Sequence, residues 1–140
     1  MIKNAWGTYF TACGTASYSG IAATYMFSEI AKRHVNFTVG SEFPYFENFL
    51  VSDSLLIAAS QSGETMDTLE AVRAAKRHKS KVLALVNVPG SSLSRLADKS
   101  FLLKAGPERA VVSTKAYIAK LSTFLLLAYT LAKKHEEGVK

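Results

Sequence analysis

Leu55-Leu56-Ile57-Ala58-Ala59 runs straight into Ser60-Gln61-Ser62-Gly63-Glu64-Thr65, and a helical pattern opens near Asp67. Five apolar residues without alternation suit a strand covered on both faces, the mark of a parallel sheet. A small polar loop between such a strand and a helix lies at the strand's carboxyl end, where open α/β sheets bind ligands. The first N–H groups of a helix have no partner within it, and its dipole puts partial positive charge there, so an anion is favoured. Ser60, Ser62 and Thr65 add hydroxyl donors, and Gly63 lets the backbone turn closely around a bound group. The loop is not a P-loop, because no lysine follows the glycine in the required pattern, and it lacks the three spaced glycines of the dinucleotide fingerprint. A plainer use is open to the same residues: Ser62 or Thr65 as a helix cap, with Glu64 giving favourable electrostatics in the first turn.

Outward from this stretch, similar short apolar runs recur at Thr8–Ala12, Asn36–Val39 and Val82–Val86, with a weaker one at Phe101–Leu103. Helical patterns alternate with them. Ala16–Arg33 carries Ile21, Ala22, Tyr25, Met26 and Ile30 at three- and four-residue spacings, and Asp67–His78 sets Leu69, Val72 and Ala75 on one arc. Ser41–Phe46 is expected to make a single turn, limited by Pro44. Ser91–Ala97 reads as a short helix with a serine cap, and a final helix spans about Ser113 to Lys134. Strands alternating with helices predict βαβ units with right-handed crossovers, hence an α/β, three-layer αβα sandwich around a five-stranded parallel sheet.

The 140 residues are expected to form a single domain over 1–140, with 49% hydrophobic and 20% charged residues, an ordinary globular balance. The most apolar segment, Ala116–Ala132, is interrupted by Lys120, Ser122, Thr123 and Thr130 and falls short of a bilayer span, so no membrane association is expected. From Leu121 to Ala132 this helix is apolar on nearly every side, more than one sheet face requires. The excess predicts a covering surface, from a homodimer partner or a second domain, unless the helix lies unusually deep in one core. One cysteine, Cys13, excludes an internal disulfide and fits a reducing, cytoplasmic setting. The three histidines are scattered, so no metal is expected, and no cofactor. The net charge of +6 suits an anionic ligand. The basic stretch Lys76-Arg77-His78-Lys79-Ser80-Lys81 has no interleaved aromatics and falls at a helix end, so nucleic acid is not expected.

Two further junctions share the logic of the first. Thr11-Ala12-Cys13-Gly14-Thr15-Ala16-Ser17 joins a strand to a helix with a glycine and hydroxyls, and no histidine stands near Cys13 to activate it as a nucleophile. Gly106-Pro107-Glu108-Arg109-Ala110-Val111-Val112-Ser113-Thr114-Lys115 breaks the chain after the last strand and opens the final helix, where Ser113 is also a credible cap. Three such junctions can meet at one sheet edge and make one pocket.

At these residues the chain resembles the isomerase part of the glucosamine-6-phosphate synthase family, the glutamine–fructose-6-phosphate aminotransferases. The resemblance rests on Ala12-Cys13-Gly14-Thr15, Ser41-Glu42-Phe43, Ser60–Thr65, Asn87-Val88-Pro89-Gly90-Ser91-Ser92 and Ser113-Thr114-Lys115-Ala116, in the family's order and spacing over almost the whole chain. It is to the first of that enzyme's two sugar isomerase (SIS) domains, of flavodoxin-like type. The resemblance implies phosphate binding by Ser60, Gln61, Ser62 and Thr65, and sugar contacts from Cys13, Gly14, Thr15, Val111 and Ser113. Where the family usually has serine after Cys-Gly-Thr this chain has Ala16, a lost hydroxyl for which Ser17 is a partial substitute. The glutaminase domain, and the second SIS domain with its acid/base glutamate and lysine, have no counterpart here, and Lys140 is not assigned the catalytic lysine's role.

Aminating a ketose phosphate and moving its protons requires positioned acids and bases. The expected pocket offers hydroxyls and amides, with Glu64 and Glu42 the nearest carboxylates. The expectation is therefore a binding half for fructose 6-phosphate or glucosamine 6-phosphate with no catalytic residue assigned. A stand-alone phosphosugar sensing module and a homo-oligomer that completes a catalytic site are the alternatives.

Overall fold

The computed structural model describes residues 1–108 and 113–132, the Lys3 side chain excepted. Five strands, β1 (Thr8–Ala12), β2 (Asn36–Val39), β3 (Leu55–Ser60), β4 (Lys81–Val86) and β5 (Lys99–Leu102), form one parallel sheet in the order β2-β1-β3-β4-β5. Every residue of β1 and β3 is buried, as unbroken apolar runs require of central strands. The edge strand β5 is exposed along its length. Among the described residues four α helices flank the sheet: α1 (Thr15–Met26), α2 (Met66–Arg77), α3 (Ser92–Leu96) and α4 (Thr114–Ala132). The expected α/β sandwich is present.

The chain leaves β1 through α1 toward β2 at one edge, and leaves β3 through α2 toward β4 in the opposite direction. The winding reverses between β1 and β3, and a crevice opens there at their carboxyl ends. One core layer packs Phe10, Ala12, Ile57 and Ala59 of the sheet against Ala23, Phe27, Phe124 and Ala128. The other packs Leu56, Ala58, Val82 and Ala84 against Phe43, Leu69, Val72 and Ala75.

Several local expectations are corrected. The helix expected over Ala16–Arg33 is α helical only to Met26; a π-helical turn over Phe27–Ala31 follows and ends at Lys32, whose φ is 51°. Its bulky arc is not the buried one, since Tyr25 is 70% and Ile21 41% exposed. The buried face is Ala16, Ser17, Ser19, Gly20 and Ala23. Small residues let α1 lie close to its neighbours: a Cβ on Gly20 would stand 2.5 Å from the Phe37 ring. The single turn expected over Ser41–Phe46 is a longer 3-10 segment, Gly40–Phe49, with Pro44 inside. Proline's fixed φ fits 3-10 geometry, so it limits an α helix and not this one.

α4 buries Ala116, Lys120, Thr123, Phe124 and Ala128. It is not sunk in one core: Ile118 is 59% and Leu126 53% exposed on its outer side. No described helix is long and apolar enough to cross a membrane.

Candidate functional site

β1 and β3 end side by side, with Ala12 paired to Ala59, and each hands its chain to a loop that starts a helix. Neither helix is capped by its own side chain: Gly14 precedes α1 and Thr65 precedes α2, and neither makes a side-chain cap bond. In α1 the Ser17 N–H bonds back to the Gly14 carbonyl at 2.9 Å; the first-turn N–H groups of α2 are unspent by local capping and lie at the positive end of its dipole. Between them is a polar cleft of about 270 Å³ lined by Cys13, Gly14, Thr15, Ala16, Ser60, Gln61, Ser62, Thr65 and Ser113. A larger hollow of about 450 Å³ beside α1 and β2 lies at the sheet's edge, away from the strand ends.

The cleft brings together eight of the nine residues singled out from the sequence, from all three strand-to-helix junctions. Val111, the ninth, lies outside the described residues, as does Lys140. Ala16 lines the cleft, but Ser17 does not stand in for the missing hydroxyl. Its Oγ is buried and donates to the Ala12 carbonyl at 3.0 Å, closing the end of β1.

Two loop amides point inward. Gly63 N–H donates to Ser60 Oγ at 3.0 Å, and Glu64 N–H to Ser62 Oγ at 3.2 Å. Ser60 Oγ and Thr65 Oγ1 lie 2.9 Å apart. Each hydroxyl carries one proton and two lone pairs. One proton spans Ser60 and Thr65, which leaves the other of that pair unspent; Ser62 accepts and keeps its own. Two hydroxyl protons and the uncapped amides of α2 remain for a bound acceptor.

The loop is braced from the β4 side. Asn87 N–H donates to the Gln61 carbonyl at 3.2 Å and Leu93 N–H to the Gly63 carbonyl at 3.0 Å. Glu64 contributes nothing to the first turn of α2; its Oε1 accepts the Ser92 N–H at 2.7 Å, across 28 residues. That bond, helped by the Arg95 charge, holds its carboxyl below the usual range. The sequence reading therefore misplaced two roles. Ser91 occupies the position before α3 but makes no cap bond, and its buried Oγ has no partner. The cap of α3 is Glu64. The same device recurs at α4, where Glu108 Oε2 accepts the Ala116 N–H at 3.2 Å.

Among the described residues, no carboxylate or imidazole lines the cleft. Glu42 is exposed and pairs with Ser41, and Glu64 is committed to Ser92. Cys13 Sγ lies 3.5 Å from Thr68 Oγ1, with no base beside it. The arrangement can orient and hold a polar, anionic molecule.

A family model described as the SIS domain matches residues 1–130. The glutamine–fructose-6-phosphate aminotransferase (isomerizing) of Campylobacter jejuni is 44% identical over 91% of the chain. The chain spans about a fifth of that relative, 21% of its length. Among solved structures, the C-terminal domain of glucosamine-fructose-6-phosphate aminotransferase from Francisella tularensis matches with a TM-score of 0.87 and 36% identity, over 96% of this chain and 38% of that one. The Vibrio vulnificus NanR protein complexed with ManNAc-6P shares the fold, with a TM-score of 0.79 and 19% identity, over 97% of this chain and 52% of that one.

Proposed function

The chain belongs to the SIS domain family, and on that premise we propose that its cleft holds a hexose 6-phosphate, fructose 6-phosphate or glucosamine 6-phosphate. The chain then serves as the binding half of a glucosamine-6-phosphate synthase-like isomerase and aminotransferase. The observation that carries this reading is the uncapped start of α2 facing a polar cleft with unspent hydroxyl protons. In it Ser60, Gln61, Ser62 and Thr65 take the phosphate, and Cys13, Gly14, Thr15 and Ser113, with Val111, take the sugar. Printed names support the ligand class: the Campylobacter relative is named for fructose 6-phosphate, and NanR was solved with a sugar phosphate. The acid and base that such a reaction needs come from outside these residues.

The exposed apolar side chains on α4, Ile118, Leu125 and Leu126, fit a covering surface from a second copy or a second SIS domain. Tyr18, Ile21 and Tyr25 on the neighbouring α1 are exposed as well. A cytoplasmic setting belongs to the same reading. A phosphosugar-sensing module is favoured over catalysis by one observation alone, the absence of a base among the described lining residues.

Calorimetric titration with fructose 6-phosphate, and with fructose as the uncharged control, tests the reading. The phosphorylated sugar binds and fructose does not. Ser62→Ala with Thr65→Ala weakens binding more than tenfold, because a hydrogen bond to a charged group contributes about 1.5–3 kcal/mol. Unchanged affinity in that double variant removes the phosphate loop from the site.

A further inference from the structure

Lys120 lies in the middle of α4, and its side chain is fully buried, 0% exposed. Its Nζ has no hydrogen-bond partner. An ammonium taken out of water without a partner is costly, so its retention asks for a compensating use. Ser113, which lines the cleft, stands seven residues before Lys120, two helical turns and nearly the same angular position. Helical side chains lean toward the amino terminus, so the lysine stem runs back along α4 toward its start. Glu108 fixes where the stem leads: its Oε2 accepts the Ala116 N–H in the first turn, and its charge acts on the amine.

Among the described residues the cleft lining contains no cationic side chain, although the ligand it is proposed to take is a dianion. We infer that Lys120, though not part of the lining, is the positive charge beneath the phosphosugar cleft, and that a bound dianion is what compensates its burial. This rests on the phosphosugar reading above and deepens it. Burial pulls the amine down to about 8, against the opposing pull of Glu108. A phosphate monoester is already dianionic there. A dianion nearby favours the charged amine, so binding near pH 8 takes up a proton.

Among the described residues, other charges do not account for such a linkage. α1 carries no charged residue, and Tyr18 and Tyr25 on it are exposed. The π-helical turn brings Glu29, which is exposed and pairs with exposed Lys32. Lys104 is exposed, and Lys115 Nζ donates to the Pro107 carbonyl. Cys13 brings a thiol to the cleft, so variants must separate its contribution from that of Lys120.

Fructose 6-phosphate titrations at pH 8, in buffers of different ionisation enthalpy, measure the protons exchanged. Uptake of a fraction of a proton by the wild-type chain is expected, and affinity falls about tenfold from pH 7 to pH 9. Cys13→Ala keeps the uptake and Lys120→Met abolishes it. Lys120→Met binds about tenfold more weakly at pH 7, yet unfolds at a higher denaturant concentration without ligand, because an unpartnered buried amine is gone. A role in packing alone does not move stability and affinity in opposite directions. Wild-type binding with no proton exchange and a flat pH profile overturns the inference and leaves the phosphosugar reading standing. Should Lys120→Met fail to fold, the wild-type and Cys13→Ala titrations still decide. Absence of any wild-type binding removes both readings.

Discussion

Gly63→Ala puts a methyl group into the seam between the phosphate loop and α3, and its cost can be worked from neighbouring distances. Gly63 has φ of 71°, a conformation that costs an ordinary residue about 1–2 kcal/mol. A Cβ there would also stand 2.1 Å from Ser91 Oγ and 2.5 Å from Ser91 Cβ. Ser91 is buried and α3 is pinned by Glu64, so neither side yields freely. Overpacking of this kind costs about 1–3 kcal/mol more. Gly90 provides the control: its φ is 72°, and nothing lies within 4 Å of its added Cβ. Gly90→Ala therefore reports the backbone cost alone. Denaturant unfolding of both variants should separate them by about 1–3 kcal/mol, Gly63→Ala the less stable. Ser91→Ala by itself is near neutral, since its hydroxyl is an unpaired buried group. In that background Gly63→Ala recovers part of its loss, because the nearest contact is removed. Equal destabilisation by Gly63→Ala and Gly90→Ala refutes the reasoning, and with it the view that the loop is braced by close contact with α3.

Glu64→Ala removes the cap of α3 and loosens the loop, so fructose 6-phosphate affinity falls while Glu64→Gln, which keeps an acceptor for Ser92 N–H, retains most of it; equal loss in both, read by calorimetry, places the effect in the charge instead. Burial pushes the Asp98 carboxyl up, but its bonds to Lys76 at 2.7 Å and to Val82 N–H at 2.7 Å outweigh this and hold it below its ordinary value. Its contribution is therefore present above the unfolded carboxyl's range and lost as pH falls through the depressed folded value, and Asp98→Asn flattens the acid limb of a stability–pH curve. Leu126→Glu with Ile118→Glu should abolish concentration-dependent association in sedimentation; a wild-type chain that is monomeric at every concentration, alone and mixed with a second SIS domain, removes the covering surface.

The central strands were legible because burial on both faces leaves a direct mark: Leu55–Ala59 has no polar residue to place in solvent. The edge strand β5 carries no such mark; expected over Phe101–Leu103, it spans Lys99–Leu102 and is exposed throughout. The junction loops were legible for a related reason, since glycine and hydroxyl residues between a strand and a helix have few other uses. What the sequence hid was set by distance. Helix caps are sought next to the helix they serve, so Ser91 was the natural candidate for α3. The group that caps it is 28 residues away, and only the packing of the two loops makes Glu64 its neighbour. Glu108 at α4 and Lys120 beneath the cleft escaped in the same way. In the chain Lys120 is one polar interruption in an apolar run; its burial exists only once α4 is docked.

The face of α1 carries a stronger lesson about what the fold is built to meet. Hydrophobic periodicity locates an apolar stripe, but it does not say which surface that stripe serves. In α1 the inner face is made of small residues, because Gly20 must pass under Phe37 and Ala23 must sit against the sheet layer. The large apolar residues are displaced outward, with Tyr18 67% exposed. The adjoining α4 also presents Ile118, Leu125 and Leu126 outward. Two neighbouring helices that each present large apolar residues outward, α4 while burying Phe124 in its own core, give a covering partner apolar area to bury. Because α4 begins directly after Ser113 of the cleft lining, whatever covers α4 is tied to the cleft. A partner docked there would bear on the same helix whose first turn holds Glu108, and so on the charge proposed beneath the ligand.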